Sequence, residues 1–202
     1  MTYSVARVTG LVLVTALLNG CATMPGGSAP TVGGEVKYGD AKAVEQVNAD
    51  FGSTDLQMIA EAMARSLAQS VSGNRTKPLV TISDVKNKTS EYIDTRSITD
   101  SIRVQLLKSG TMRFATDIAA MQNQTDELIR QNQSGLYKKS TVAKTGNMEG
   151  AQFRVEGNIT SIVKRGSDIK DVYYKFSLIM TNIESGTIEW ADEKEIRKTV
   201  KR

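Results

Sequence analysis

Apolar residues recur every three or four positions in three segments of this chain, which is the spacing of helices that place one face on a core. The first segment opens at Thr54, whose hydroxyl is positioned with the Gln57 amide to cap the first turn, and it ends near Gly73. The second begins at the capping residue Asp94 and stops at Gly110, a residue type suited to a left-handed helix end. We therefore predict two core-facing helices in these segments.

A third helical pattern follows in the middle of the chain. Either Thr116 or Asp117 is placed to cap it, and it continues to Gln133. Its apolar positions are Ile118, Met121, Leu128 and Ile129. Beyond it, residues 140–148 are predicted to form a short fourth helix.

Alternation of apolar and polar residues predicts the strands. One run follows Pro78 and covers residues 79–85, a polar loop covers 86–93, and a short run covers 112–115. In the last 50 residues the helical spacing gives way to three further runs of apolar–polar alternation, each of which we predict to be a strand. Their apolar positions are Phe153, Val155, Ile159 and Ile162 in the first, Val172, Tyr174, Phe176, Leu178 and Met180 in the second, and Ile188 and Trp190 in the third.

This order of elements predicts an α/β fold. We expect a single sandwich domain in which helices pack on a mixed sheet of about four to five strands, and the last three strands form an antiparallel meander. Gly186 suits the left-handed position of the second meander turn.

The N-terminal residues read as an export and anchoring segment. Arg7 precedes an apolar run, Gly10 to Leu18, that is shorter than the roughly 20 residues a membrane-spanning helix needs. Gly20 and Cys21 end it in a pattern that resembles the lipobox of bacterial lipoproteins, in which the cysteine is acylated. We therefore predict a signal peptide at 1–20, a lipidated Cys21 with a flexible linker at 21–40, and a folded domain at 41–202. The linker prediction rests on five glycines and two prolines within residues 22–40.

Charge and composition narrow the function classes. The formal net charge is +4, and its 26 basic residues are interspersed with 22 acidic ones, whereas a nucleic-acid protein clusters its basic residues. The chain has no histidine, which removes the Ser-His and Cys-His nucleophile pairs and the commonest metal ligand. Asp84 and Asp94 flank a polar loop and form a possible carboxylate pair, but a turn and a helix cap explain them more simply. We predict no enzyme activity, no metal or other cofactor and no nucleic-acid partner.

One face of the predicted meander points away from the core and is available for binding. If the apolar positions of the first strand face the core, Arg154 and Glu156 face away from it, and on the next strand Tyr173 and Lys175 do the same. Aromatic and charged side chains on a rigid sheet suit the recognition of another protein. These four residues are our candidate partner-binding site. The alternatives are that helices cover this face or that it is ordinary solvated surface.

Several segments together resemble a known family. They are YGDAKAV at 38–44, DFGSTDLQ at 50–57, SDVKNKTSEYIDTRSITDSI at 83–102, EGAQFRVEGNITSI at 149–162 and SGTIEW at 185–190. With the lipobox, they resemble the LpoB family of penicillin-binding protein activators over roughly residues 38–202. Within them, Asn87, Thr89, Ile93 and Asp94 match the loop before the second helix, and Gly150, Ala151 and Gly157 match the entry and middle of a strand.

The resemblance implies an outer-membrane lipoprotein that faces the periplasm. Such a protein binds a bifunctional class A penicillin-binding protein and stimulates peptidoglycan synthesis and cross-linking, and we expect it to be a monomer. A second class stays open, a structural or assembly lipoprotein of an outer-membrane secretion or flagellar complex. Channel lipoproteins of that class carry long membrane-inserting hairpins, whereas the predicted turn at 165–171 is short and polar. Ring-shaped oligomers in detergent would favour the second class.

Overall fold

The structure is a computed structural model that describes residues 39–46 and 48–201. The predicted signal peptide, Cys21 and most of the predicted linker lie outside the described residues. Residues 42–202 form one compact unit. Among the residues that the structure describes, every member of the hydrophobic core lies between Ala49 and Ile196, so residues 39–202 contain this core.

Three helices are present in the described part of the chain: α1 (Ser53–Val71), α2 (Thr95–Ser109) and α3 (Ile118–Gln133). Asp94 caps α2 as predicted, because its carboxylate accepts hydrogen bonds from the backbone amides of Arg96 and Ser97. Gly110 ends that helix at a φ of 68°, the left-handed conformation that favours glycine. Asp117, and not Thr116, caps α3 through the Ala120 amide.

Six strands form one mixed sheet: β1 (Leu79–Ile82), β2 (Lys86–Lys88), β3 (Arg113–Phe114), β4 (Phe153–Arg165), β5 (Ile169–Asn182) and β6 (Ile188–Lys201). The strand order is β3-β1-β4-β5-β6, and β2 also pairs with β4. The pairs that involve β1, β2 and β3 are parallel. The last three strands form the predicted antiparallel meander.

The core lies between the sheet and two helices. Apolar residues at helical spacing on α1 and α2 meet alternate residues of β4 and β5, and the buried side chains at this contact include Ile59, Met63, Leu67, Ile98, Ile102, Leu106, Val155, Ile159, Tyr174 and Phe176. Tyr174 and Phe176 have no exposed surface. We call this side of the sheet the inner face and the opposite side the outer face.

The structure corrects the predicted cap of the first helix. Gly52 stands at the cap position, and its amide donates to the Asp55 carboxylate at 2.9 Å. The Glu45 carboxylate accepts from the Ser53 amide at 2.9 Å. Thr54 instead accepts from the Glu45 amide at 2.8 Å. The segment before the helix folds back on its first turn. The Glu45 carboxylate, nine residues before Thr54, therefore accepts a hydrogen bond from the first turn, which is the role that we predicted for the Thr54 hydroxyl.

Two further predictions on secondary structure were wrong. Residues 140–148 form turns and irregular chain rather than a fourth helix, since they have no buried residue to hold an apolar helix face. Residues 86–88, predicted as loop, form β2. Lys86-Asn87-Lys88 has no apolar alternation, and its strand conformation comes from pairing with residues 158–160 of β4. This sixth strand is the difference from the predicted four to five.

Candidate protein-binding face

All four predicted site residues lie on the outer face. Their neighbours along β4 and β5, Val155, Tyr174 and Phe176, are fully buried on the inner face, and strand geometry therefore directs the alternate residues outward. The side chains of Arg154 and Lys175 are 50% and 41% exposed. The described helices that contribute to the core, α1 and α2, pack on the inner face and leave this surface uncovered.

The four residues form two groups on this face. Arg154 and Glu156 make an ion pair within β4, with Nε to Oε2 at 3.4 Å. Tyr173 and Lys175 lie beside Ile162 and Thr160 of β4. Thr160, the nearer of these two to Glu156, is four residues from it, which is about 13 Å along the strand. The outer face is thus an extended surface rather than one compact cluster.

Tyr173 and Lys175 are both held by acidic residues of β6. The Tyr173 hydroxyl donates to Glu195 Oε1 at 2.5 Å, and Lys175 Nζ lies 3.4 Å from Glu193 Oε2. The hydrogen bond from the phenol to Glu195, together with partial desolvation and the nearby carboxylate charge, raises the pKa of Tyr173 to about 12. Cross-strand contacts of this kind fix the direction of both side chains before a partner arrives.

A third contact of the same type continues the pattern along β5 and β6. Arg197 holds Asp171 through two nitrogens, with Nη2 to Oδ2 at 2.8 Å, and Thr199 donates to Asp171 Oδ1 at 2.9 Å. The hydrogen bond from Arg197 and then that from Thr199 hold the pKa of Asp171 below its usual value, and the carboxylate in turn raises the pKa of Arg197. The outer side of the meander is therefore a ladder of polar cross-strand pairs.

Charge is distributed unevenly across the outer face. One row of paired residues reads Lys88, Thr160, Lys175 and Glu195 from β2 to β6, and the next reads Lys86, Asn158, Ser177 and Glu193. Each row begins with a lysine on β2 and ends with a glutamate on β6, about 14 Å away. A partner of opposite charge pattern would be oriented by this arrangement.

The sequence-based reasoning missed several members of this face. Ile162 was predicted to continue the apolar alternation of its strand, but it lies three positions from Ile159 and is 58% exposed on the outer face. The pairing of β4 with β5 is continuous from Phe153 to Arg165, so no bulge returns Ile162 to the core. Lys86 and Lys88 were missed with their strand. Glu193 and Glu195 were missed as the partners of Lys175 and Tyr173.

The described residues have neither a metal-binding cluster nor a membrane-spanning helix. They hold no group of three or more His, Cys, Asp or Glu side chains that would suit a metal ion. Of the two carboxylates Asp84 and Asp94, Asp94 is the cap of α2, where it accepts from the Arg96 and Ser97 amides. Among residues 39–46 and 48–201, no helix has the length and apolar composition that a membrane crossing requires.

Comparison with protein families decides the relationship of the chain. The model of a family described as the peptidoglycan-synthase activator LpoB matches residues 55–196, more than half of the chain. The chain belongs to the LpoB family. The match includes all four predicted site residues, and the family's general role is the activation of a peptidoglycan synthase.

Individual relatives of this LpoB-family chain are distant. A Cupriavidus necator protein described as a membrane protein is 31% identical over 146 residues, which are 71% of this chain and 26% of that protein. The chain thus spans about a quarter of the length of this relative. The LpoB C-terminal domain from Escherichia coli is 13% identical over 69% of this chain and 98% of that one, with a TM-score of 0.41. The solution structure of E. coli LpoB is 10% identical over 87% of this chain and 81% of that one, with a TM-score of 0.40.

Proposed function

We propose that this protein binds and activates a bifunctional class A penicillin-binding protein and that the outer face of the meander is the surface that binds it. The observation that carries the proposal is the family match over residues 55–196. The outer face is the surface that the fold leaves for a partner, because the inner face of the same strands is occupied by the core.

The physical character of this face suits a protein partner. The side chains of Tyr173 and Lys175 are held in place by cross-strand contacts, so little of their conformational entropy is lost when a partner docks. Tyr173 offers an aromatic ring in a fixed position, and Ile162, its direct neighbour on β4, offers apolar surface beside it. A central aromatic and apolar contact surrounded by charged residues is the usual composition of an energetic hot spot.

Activation by this surface requires no catalytic group. A regulator shifts the synthase towards its active conformation when it binds that conformation more tightly than the inactive one. The extent of activation is then set by the difference between the two affinities. In this proposal the chain is a regulator without enzyme activity or cofactor, and the polymerising and cross-linking chemistry belongs to the synthase.

We further propose that Cys21 is acylated and that the domain is a monomer tethered to the outer membrane on its periplasmic side. The proposal rests on the lipobox-like sequence before Cys21 and the glycine-rich linker after it. Glu45 is hydrogen-bonded to the first turn of α1, so the tether ends there. Fully extended, the roughly 24 residues from Cys21 to Glu45 reach on the order of 80 Å, whereas a relaxed coil of that length spans about 27 Å. The tether must therefore be nearly stretched if the synthase lies at the inner membrane.

The connection between β4 and β5 favours an activator over a channel-forming assembly lipoprotein. It is closed by a hydrogen bond from the Gly166 amide to the Ile169 carbonyl at 2.8 Å, so the two strands turn directly into each other. A membrane-inserting hairpin needs strands of about 9 to 11 apolar-alternating residues beyond the domain. This turn is polar and too short for that purpose.

The test is capture of the partner from detergent-solubilised membranes of the source bacterium by residues 39–202. We expect a class A penicillin-binding protein to be retained above a tag-only control. The double variant Arg154→Glu/Lys175→Glu should lose it. The control variant Lys77→Glu/Lys108→Glu changes the net charge equally at exposed positions away from the outer face, and it should retain the synthase.

Two results would contradict the proposal. Recovery of secretion or flagellar outer-membrane components without the synthase would favour the assembly function. Equal capture by the outer-face variant and the control variant would separate the synthase from this face. Light scattering of the purified domain tests the monomer directly, since rings would also favour the assembly function.

A further inference from the structure

The segment after α3 carries a basic, partly apolar surface that takes no part in the core. All residues from 120 to 150 are described, and none of them is buried. Leu136 is 82% exposed, and Lys138, Lys139 and Lys144 are exposed beside it in the chain. Between residues 131 and 148 these three lysines are the only charged residues. We call Leu136 and the three lysines the lysine patch.

Polar contacts hold the lysine patch against the C-terminal end of α3. The Ala143 amide donates to Gln131 Oε1 at 3.1 Å, and Asn132 Nδ2 donates to the Ala143 carbonyl at 3.0 Å. The Arg130 guanidinium stacks on the Tyr137 ring, with 5.1 Å to the centroid. The residues that follow Tyr137 and those that precede Lys144 are therefore drawn to the same two turns of the helix.

The charges around the lysine patch leave it net positive. Arg130 is engaged by Glu127, with Nη2 to Oε2 at 2.6 Å, and Gln131 and Arg130 together lower the pKa of that glutamate. Asp126 accepts from Gln122 one turn earlier on the helix. In the part of the chain that the structure describes, no acidic residue forms an ion pair with Lys138, Lys139 or Lys144.

We propose that the lysine patch docks the domain on a phospholipid surface that carries anionic headgroups. The charge is complementary, and an exposed leucine next to an amphipathic tyrosine provides a small apolar group for the boundary between headgroups and acyl chains. The free cations are all lysines, which are depleted in protein–protein interfaces, where arginine is enriched. A lipid surface accepts such mobile point charges without the shaped pocket that a protein partner would provide.

The contact is weak and reversible, and it does not depend on the identity of the synthase. A polybasic patch adds a second membrane signal to any lipid chain that the protein carries. Docking through this patch would fix which side of the domain faces the lipid. The lipid contact would be made by residues after α3, none of which belongs to the strands of the outer face.

The experiment is co-sedimentation of residues 39–202 with vesicles in about 0.1 M salt, where the Debye length is about 10 Å. We expect binding to vesicles of phosphatidylethanolamine and phosphatidylglycerol and none to vesicles of phosphatidylcholine alone. The triple variant Lys138→Glu/Lys139→Glu/Lys144→Glu should bind at least about a hundredfold more weakly, since each lysine near an anionic surface contributes about fivefold and each new glutamate adds repulsion. Leu136→Ala should weaken binding by up to about tenfold.

The matched control is Lys77→Glu/Lys108→Glu/Lys164→Glu, which makes the same charge change at three exposed lysines elsewhere. Its loss should stay below about tenfold, because distant charges are screened within a Debye length of about 10 Å. Leu107→Ala, at an apolar residue that is 49% exposed on α2, controls for Leu136→Ala. Circular dichroism confirms that each variant is folded. Equal losses in the patch and control variants, equal binding to phosphatidylcholine, or no binding by the unaltered domain would each overturn the proposal.

Discussion

The carboxylate of Glu91 accepts a hydrogen bond from the hydroxyl of Tyr174 at 2.8 Å, which joins the loop before α2 to the buried face of β5. The same carboxylate accepts from the Phe51 amide at 3.0 Å, and the Phe51 ring packs edge-on against Tyr174 at 5.7 Å between centroids. Burial of the Tyr174 ring and the hydrogen bond to Glu91 both raise the pKa of the phenol. One side chain thus connects three separate parts of the chain.

Glu91→Ala should lower the free energy of unfolding by about 2 kcal/mol, because it leaves the Phe51 amide without its acceptor and the Tyr174 hydroxyl with only the Ala49 carbonyl at 3.4 Å. Tyr174→Phe should cost less, about 1 kcal/mol, since the half-buried Glu91 then turns to water. Urea unfolding measures both. Glu61→Ala, at an exposed position of α1, is the control and should change stability by less than about 0.5 kcal/mol. A Glu91→Ala protein as stable as the control would contradict this account of the junction.

Gly157→Ala should destabilise the domain by about 3 kcal/mol. A Cβ at Gly157 would lie 2.0 Å from the Ser177 carbonyl oxygen of β5 and 2.7 Å from a Leu178 methyl group, so the strand pairing itself must shift. Gly150→Ala is the matched control, because a Cβ there meets nothing within 4 Å. Both positions were identified by their resemblance to the family pattern. Thermal denaturation that shifts equally in the two variants would show that β4 and β5 are less tightly paired than described.

Tyr173 should ionise with a pKa of about 12, well above its ordinary value of 10.0, because Glu195 accepts the phenolic hydrogen bond. Glu195→Gln should lower that pKa towards the ordinary value. The raised pKa contributes stability that is fully present below pH 10 and is lost as the pH rises through about 12. Ultraviolet titration of the wild-type and Tyr173→Phe proteins isolates this residue. An unchanged Tyr173 titration in Glu195→Gln would mean that the contact does not persist in solution.

Arg197→Ala should raise the pKa of Asp171 towards its ordinary value of 3.8, since the guanidinium is the largest cause of the lowered pKa. The lowered pKa contributes stability that is present above the ordinary value and is lost as the pH falls through the folded-state value. Titration of the Asp171 carboxyl carbon by NMR measures the shift. Thr199→Val should raise the same pKa by a smaller amount, and the reverse order of the two effects would contradict the geometry of the pair.

The sequence pattern predicted the elements that bury apolar faces. The alternation around Tyr174 and Phe176 predicted a strand of the meander, and Asp94 and Gly110 predicted the two ends of α2. These features depend on residues that are close in the chain. The fold class and three of the four predicted helices are confirmed.

The features that were missed depend on distant partners. Lys86 and Lys88 are strand residues only because β4 lies beside them, and the cap of α1 comes from Glu45 rather than from Thr54. Ile162 looked like a core residue by composition, but the fixed two-residue period of β4 places it outside. The partners of Tyr173 and Lys175 on β6 could not be assigned without the strand register.

The most direct test of the central claim is the rate of glycan polymerisation by a purified class A penicillin-binding protein of the same bacterium, measured with and without residues 39–202. We predict that the unaltered domain and Lys77→Glu/Lys108→Glu raise the rate equally and that Arg154→Glu/Lys175→Glu does not raise it. Equal stimulation by all three proteins, or no stimulation by the unaltered domain, would contradict activation through the outer face.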